Sequence, residues 1–543
     1  MKKKLLSTLL ATAMIASLTA CGSNADGSTA VNDSSAAAST NQNGEADSAS
    51  QGGSSESAGG SVDSIAIGVS GDIQTLVPWT GASEYSSMIY EPLGDRDTFS
   101  GDFYGILMES YEQVDETTYD VTIYDYIYDA AGNHITAEDV AFSWNECQRL
   151  GELTETRTVE SIEAVGEYTV EFKWGTTPAL GDFEAQMSNV RIVSQKAYEE
   201  SGNGMATAPI GTGRYVVTDF SAGISVTIEA RDDYWQKEEL CKVNAQKAPV
   251  KTVRFDVITE GSQIANALQT GTIDVSADVS IDDIPVFEAS DNYTVELIDG
   301  VQGYVLYPNC SDSSPLADEN LRKAVFTAIN KTFISQAIQG GACDVLYAMG
   351  AKKYDDYDEA WESFAYEYDV EKAKEYLAAS AYPNGCELTL ITPTMGYNED
   401  VATIIKQQLA EIGITLNIDI QQFSNYIPNE GNPEAWDFTI AFLSSNDYIT
   451  NCWAKYFDID NVGTGLTKNF VYDEELQRLI DTCTSVEGHT PENNTACWSY
   501  VMEKAYCCPL IIPQQSVVYN SSKIGGVAYS GADKILVSGF EIK

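Results

Sequence analysis

Residues 386–420 constrain the fold of this chain more than any other stretch. Leu388, Leu390 and Thr392 recur at the two-residue period of a strand, whereas Val401, Ile404, Ile405, Leu409 and Ile412 fall at the three- and four-residue spacing of a helix with one buried face. Ile414, Leu416, Ile418 and Ile420 then return to the strand period, and Gly413 stands where the helix must stop in a left-handed backbone. Strand, helix and strand in so short a span make a βαβ crossover, with parallel strands and a right-handed connection. An α/β layer is therefore expected in the C-terminal half.

Upstream the pattern is mixed. Residues 64–69, 119–124, 168–174 and 215–230 alternate as strands and lie close enough in sequence to pair antiparallel. Thr136 with Asp139 three positions on is a capping pair, opening a helix whose Val140, Ser143, Trp144 and Cys147 share a face. Leu321, Ala324, Val325, Ala328 and Ile329 form another apolar stripe, expected to end near Gly340-Gly341, and Asp369 caps a short helix through Leu377 that stops before Pro383-Asn384-Gly385. Stripes of this kind are core.

The amino terminus places the chain. Lys2-Lys3-Lys4 precede an apolar run over 5–18, too short to remain as a spanning helix, and Leu18-Thr19-Ala20-Cys21 resembles a bacterial lipobox. That resemblance implies removal of 1–20 and a lipid on Cys21. Residues 21–63 are almost wholly Ser, Ala, Gly, Asn, Asp, Gln and Thr, a composition that cannot bury enough apolar area to order itself. They read as a flexible tether with a reach on the order of 35 Å.

Charge and rare residues exclude several functions. Loss of the three leader lysines moves the formal charge from −50 to about −53, which argues against nucleic acid and against an electrostatic grip on anionic lipid. Ten cysteines follow Cys21 without a C-x-x-C pair, and in a chain of this length buried thiols are the simpler reading. Only His134 and His489 are present, which leaves a His-rich metal site or a His-activated nucleophile poorly supported.

Several dispersed segments, in fixed order, resemble the family 5 extracellular solute-binding proteins, the peptide and nickel receptors of ATP-binding-cassette (ABC) importers. They are Gly132-x-x-Ile135-Thr136-Ala137-Glu138-Asp139-Val140-Ala141-Phe142-Ser143; Val159 to Val165 with Tyr168-Thr169-Val170; Pro209-Ile210-Gly211-Thr212-Gly213-Arg214-Tyr215 with 231–235 behind it; Leu268-Gln269-Thr270-Gly271-Thr272-Ile273-Asp274; Leu321-Arg322-Lys323-Ala324 with Ala328-Ile329-Asn330; and Pro509-Leu510-Ile511-Ile512. Arg214 stands where the family has proline, and Asn330 where it has aspartate.

The resemblance implies a two-lobed α/β fold of the periplasmic-binding-protein type (type II), with two hinge strands and an extra subdomain inserted in lobe one. Lobe one would comprise 64–93, 201–300 and 505–543, the inserted subdomain 94–200, and lobe two 301–504. The implied activity is closure over a solute, a peptide first, and delivery to the membrane subunits of an ABC importer by a lipid-anchored monomer on the outer face of the membrane. No cofactor and no catalytic residue is implied. Asp447 is the expected partner of a peptide's terminal ammonium, with Tyr448, Trp453, Tyr304, Asn309, Trp79 and Gln74 as further ligand contacts. A metal chelate or an oligosaccharide bound by the same fold stays open as an alternative, as does a secreted hydrolase, which 81 acidic residues make conceivable but which no nucleophile elbow or His-x-x-x-His pair supports.

Overall fold

The computed structural model describes residues 63–543 apart from 72, 80–84, 98–101, 152, 244–245, 299, 301–302, 353, 355, 443–447, 463–468 and 531–533. Cys21, the leader and the Ser/Gly-rich segment lie outside the described residues, as does Asp447.

Two large sheets carry the fold. The first orders seven strands as Tyr293–Ile298, Gln515–Asn520, Val275–Ser276, Ser64–Val69, Thr252–Val257, Ser225–Ala230 and Tyr215–Ser221. Ser64–Val69 lies parallel to Thr252–Val257 with Ile65 opposite Val253 and Ile67 opposite Phe255, and all four side chains are buried. The alternation over 215–230 is a hairpin: Tyr215–Ser221 and Ser225–Ala230 pair antiparallel around Gly223.

The second sheet orders six strands as Asp344–Val345, Cys508–Ile512, Tyr304–Pro308, Phe438–Phe442, Glu387–Pro393 and Thr415–Gln421. Here the crossover appears as expected. Glu387–Pro393 and Thr415–Gln421 are parallel from Glu387↔Thr415 to Pro393↔Gln421, and the helix Asn398–Ala410 joins them, with Gly413 at φ +86° after it. Val401, Ile405 and Leu409 are fully buried against the sheet.

The chain crosses from the first sheet to the second between Ile298 and Tyr304 and returns between Ile512 and Gln515. Two sheets with two crossings make the two-lobed α/β arrangement. Cys508–Ile512, assigned above to lobe one, pairs with Tyr304–Pro308 in the second sheet, so the return lies at Pro513-Gln514 rather than near 505. Its five residues are all buried, which a continuous apolar run in a central strand requires and which gave no sign of the sheet it would join.

A four-stranded antiparallel sheet, ordered Met108–Gln113, Thr118–Ile123, Thr169–Trp174 and Val159–Ala164, fills the inserted segment. The helix Ala137–Leu150 packs on it, Trp144 meeting Phe172 edge-on at 5.3 Å. Its capping box forms as read: the Thr136 N–H donates to Asp139 Oδ2 at 2.9 Å. The stripe from Leu321, by contrast, is two helices, Glu319–Thr327 and Lys331–Gln339. The Asn330 side chain accepts the Phe333 N–H at 2.9 Å while its own N–H donates to Gln408 Oε1 at 3.0 Å, so a new cap interrupts the apolar period. All ten cysteines after Cys21 are free thiols, seven of them buried.

Candidate functional site

In open α/β sheets, ligands sit outside the carboxyl ends of the strands. Here the segment after Val275–Ser276 in the first sheet and the segment after Glu387–Pro393 in the second both reach a cavity of about 230 Å³, which the two crossings also line through Gly300, Tyr304 and 513–516. Gly300 has no alternative: a Cβ there would lie 1.8 Å from Pro513 O, so the crossings touch backbone to backbone.

One amide holds the return crossing in place. Gln339, the last residue of the helix Lys331–Gln339, donates from Nε2 to Gln514 O at 2.9 Å and accepts the Gln514 N–H at 3.0 Å through Oε1, imitating a strand pair. The same Nε2 lies 3.3 Å from Tyr397 Oη, and Cys343 Sγ donates to Oε1 at 3.2 Å. Tyr304 Oη accepts the Tyr397 N–H at 2.9 Å, and Gln515 Nε2 donates across to Ala277 O at 3.1 Å. Burial pushes the Tyr397 hydroxyl above its ordinary pKa, so it stays neutral while it accepts from Gln339 Nε2.

A second set of contacts joins the inserted subdomain to lobe two. The Leu180 N–H donates to Thr484 O at 3.0 Å, and Asn451 Nδ2 donates to Leu180 O at 3.0 Å. Next to them Gly181 takes φ +77°, and a Cβ would come within 2.9 Å of the Tyr448 ring. Tyr448 in turn stands edge-on to His489, centroids 5.2 Å apart. The Asp356 carboxylate accepts the N–H groups of Ile449 and Thr450, at 2.9 and 3.1 Å, and so fixes the start of the helix that follows Tyr448.

These geometries sort the expected contacts. Tyr304 lines the cavity, and Tyr448 is half-buried at the junction of inserted subdomain and lobe two. Gln74 is exposed in the segment after the first strand. Trp453 is fully buried between Trp361, at 5.3 Å, and the stacked ring of Trp498, at 5.6 Å, where it fills the core of lobe two. Asn309 spends its amide on Pro433 O and Trp436 O, at 2.7 and 2.8 Å, and on the Ser311 N–H, tying down the turn after Tyr304–Pro308. Trp79 donates to Arg191 O at 2.9 Å and packs on Tyr198, anchoring the segment after the first strand to the inserted subdomain.

Residues not singled out from sequence are Gln339, Gln514, Tyr397, Met395 and Ile281. Met395 and Tyr397 were within reach, because they follow the first strand of the βαβ unit, where the carboxyl-end rule looks. Phe423 and Ile427, one turn apart on the helix Phe423–Glu430, add exposed apolar side chains beyond the end of Thr415–Gln421.

Comparison with known proteins agrees with this architecture. The family model for bacterial extracellular solute-binding proteins, family 5 Middle, matches residues 102–453. The oligopeptide-binding protein AppA of Bacillus subtilis is 24% identical over 409 residues, covering 70% of this chain and 72% of that protein. The di/tripeptide-binding protein 1 of Pseudomonas aeruginosa is 23% identical over 317 residues, 56% of this chain and 57% of that protein. The dipeptide-binding protein from Pseudoalteromonas sp. SM9913 in complex with Met-Leu superposes with a TM-score of 0.73 over 88% of this chain and 100% of that one, at 15% identity, a likeness of fold.

Proposed function

The chain belongs to the bacterial extracellular solute-binding proteins, family 5, and from that membership we propose that it is a receptor that closes its two lobes over a peptide and delivers it to the permease of an ABC importer. The observation that carries the reading is a cavity lined at once by both lobes and by both crossings. A solute held there would touch both lobes, and it can favour closure only through contacts that differ between the open and closed arrangements. No covalent step is needed, and the protein acts as a carrier rather than an enzyme.

In this reading Cys21 carries the lipid that keeps a monomeric receptor on the outer face of the membrane, and the Ser/Gly-rich segment lets the body reach the permease. Asp447, one residue before Tyr448, receives the peptide's terminal ammonium, and Gln74 faces the ligand from lobe one. The likeness to peptide-binding relatives favours a peptide over a metal chelate or a sugar.

Thermal-shift screening of residues 62–543 against peptide libraries, oligosaccharides and Ni²⁺ tests the proposal. A peptide at a hundred times its Kd stabilises the fold by about 2.7 kcal/mol. A transition moved by a sugar or a metal chelate and by no peptide would refute the choice of substrate. Asp447→Ala is expected to weaken peptide binding by about 2 kcal/mol or more, as loss of one partner from a buried charge pair does; unchanged affinity would remove Asp447 from the site.

A further inference from the structure

Two consecutive helices of lobe two, Glu474–Thr484 and Pro491–Glu503, pack as a hairpin, and each carries one fully buried cysteine. The thiols of Cys483 and Cys497 meet between the helices as hydrogen-bonding partners, in the same apolar core as Trp453 and Trp498. Other thiols are placed differently. Cys507 and Cys508 are neighbours in sequence but pack into separate cores, Cys507 with Trp453 and Cys508 with Leu321. Cys343 and Cys241 give their S–H groups to Gln339 Oε1 and Lys237 O, at 3.2 and 3.5 Å.

The hairpin also carries a junction of the molecule. Cys483 O accepts from His489 Nδ1 at 2.9 Å, and the next carbonyl, Thr484 O, accepts the Leu180 N–H of the inserted subdomain at 3.0 Å. The tip that receives Leu180 therefore begins at Cys483 itself. A member of an extracellular family works where thiols are oxidised rather than kept reduced. We propose that Cys483 and Cys497 form a disulfide as the chain folds outside the cytoplasm, by exchange with a disulfide-bearing oxidant, and that this link staples the hairpin whose tip receives Leu180. In the exchange one cysteine thiolate attacks the oxidant's S–S bond and displaces a thiolate; the second attacks the protein sulfur of the mixed disulfide and displaces the other. Two protein thiols and one oxidant disulfide become one protein disulfide and two oxidant thiols, which take up the two protons. Hydrogen bonding from Cys483 and burial hold the Cys497 thiol above its ordinary pKa, so in the finished fold it is a poor nucleophile. The link is accordingly made during folding and shielded afterwards.

Cleavage after Arg478 and Lys504 by trypsin puts both cysteines, and no other, in one peptide, residues 479–504. The full chain, reduced and unfolded in urea, is refolded with or without oxidised glutathione, then unfolded again and treated with iodoacetamide before digestion. Oxidative refolding is expected to give this peptide two hydrogens lighter and unalkylated, and refolding without oxidant to give it with two alkyl groups. The protein as secreted, alkylated with no refolding, should give the lighter peptide as well. The oxidised form should melt about 3 °C or more above the reduced one, as closure of a loop of this length implies, and its Leu180 amide should exchange more slowly. Two alkyl groups on 479–504 in both the secreted and the oxidatively refolded protein, or glutathione on each cysteine, would overturn the link. Equal melting and equal Leu180 exchange in the two forms would overturn the staple.

Discussion

Lys331 shows how much a single residue can work against its own fold. Its ammonium is buried in lobe two, where the partners of Nζ are Leu346 O at 3.0 Å and the face of Tyr347 at 5.1 Å. It also opens the helix Lys331–Gln339, the end of a helix least favourable to a cation. Burial lowers its pKa. Between that lowered value and the ordinary lysine value the unfolded chain binds more protons than the folded one, so the contribution of this group to stability rises with pH across that alkaline window and is lost as pH falls through it. Lys331→Met keeps the packing and removes the buried charge. Urea unfolding at neutral pH should show it more stable by about 1 kcal/mol or more, and the alkaline slope contributed by Lys331 should vanish. Greater loss than gain would mean that the Leu346 contact outweighs desolvation. Trp453 teaches the complementary lesson about reading residues. An aromatic close in sequence to a candidate ligand residue, Asp447, reads as a ligand wall, and only its stacking on Trp361 and Trp498 reveals a core side chain.

Among the elements, those defined by local period were legible and those defined by a distant partner were not. The βαβ unit needed only its own residues, because alternation, the 3.6-residue stripe and Gly413 specify strand, helix and stop within one stretch. The break after Thr327 rests on a cap, the Asn330 side chain on the Phe333 N–H, reinforced by Gln408 of another helix receiving the Asn330 N–H, and the apolar periodicity within 321–340 runs through it without a sign. The same holds for the return crossing. Pro513-Gln514 reads as a plain connection, yet the Gln339 side chain gives Gln514 both hydrogen bonds of a strand partner. Gln339→Ala should therefore speed hydrogen exchange at the Gln514 amide by about fivefold or more, the equivalent of roughly 1 kcal/mol for one hydrogen bond. The amides of Gln515–Asn520, paired within the first sheet, should keep their protection. Equal acceleration along the whole strand would show the amide to be supporting the sheet rather than the crossing.

At the scale of the whole molecule, two lobes, two crossings and an inserted subdomain were anticipated only through the resemblance that dispersed motifs in fixed order bear to a known family; each motif by itself marks no more than a local turn or cap. The cavity was not legible. Its walls come from Ala277 to Ile281, Gly300 and Tyr304, Gln339, Met395 to Tyr397 and Pro513 to Ser516, parts of the chain far apart in sequence that approach one another only after both sheets have formed. The junction at Leu180 is equally non-local, and its effect belongs to the molecule as a whole. Gly181→Val, which sets a branched side chain against Tyr448 at a positive φ, and Asn451→Ala, which removes the bond to Leu180 O, should each shift the lobes toward open separation. For Asn451→Ala the shift is about fivefold, again one hydrogen bond, read from distances between labels on the two lobes. Unchanged distance distributions in both variants would show that the turn rests on lobe two without holding it.

The bond from Leu180 to Thr484 joins protein to protein and includes no atom of any solute. Whatever it contributes to closure is therefore common to every ligand and cancels from any ratio of their affinities. In the proposed receptor, a turn at 179–181 that holds the lobes together would set the outside concentration at which it fills, while the residues that touch the solute would set what fills it. A lineage could retune the first for a scarcer or richer habitat without altering its diet.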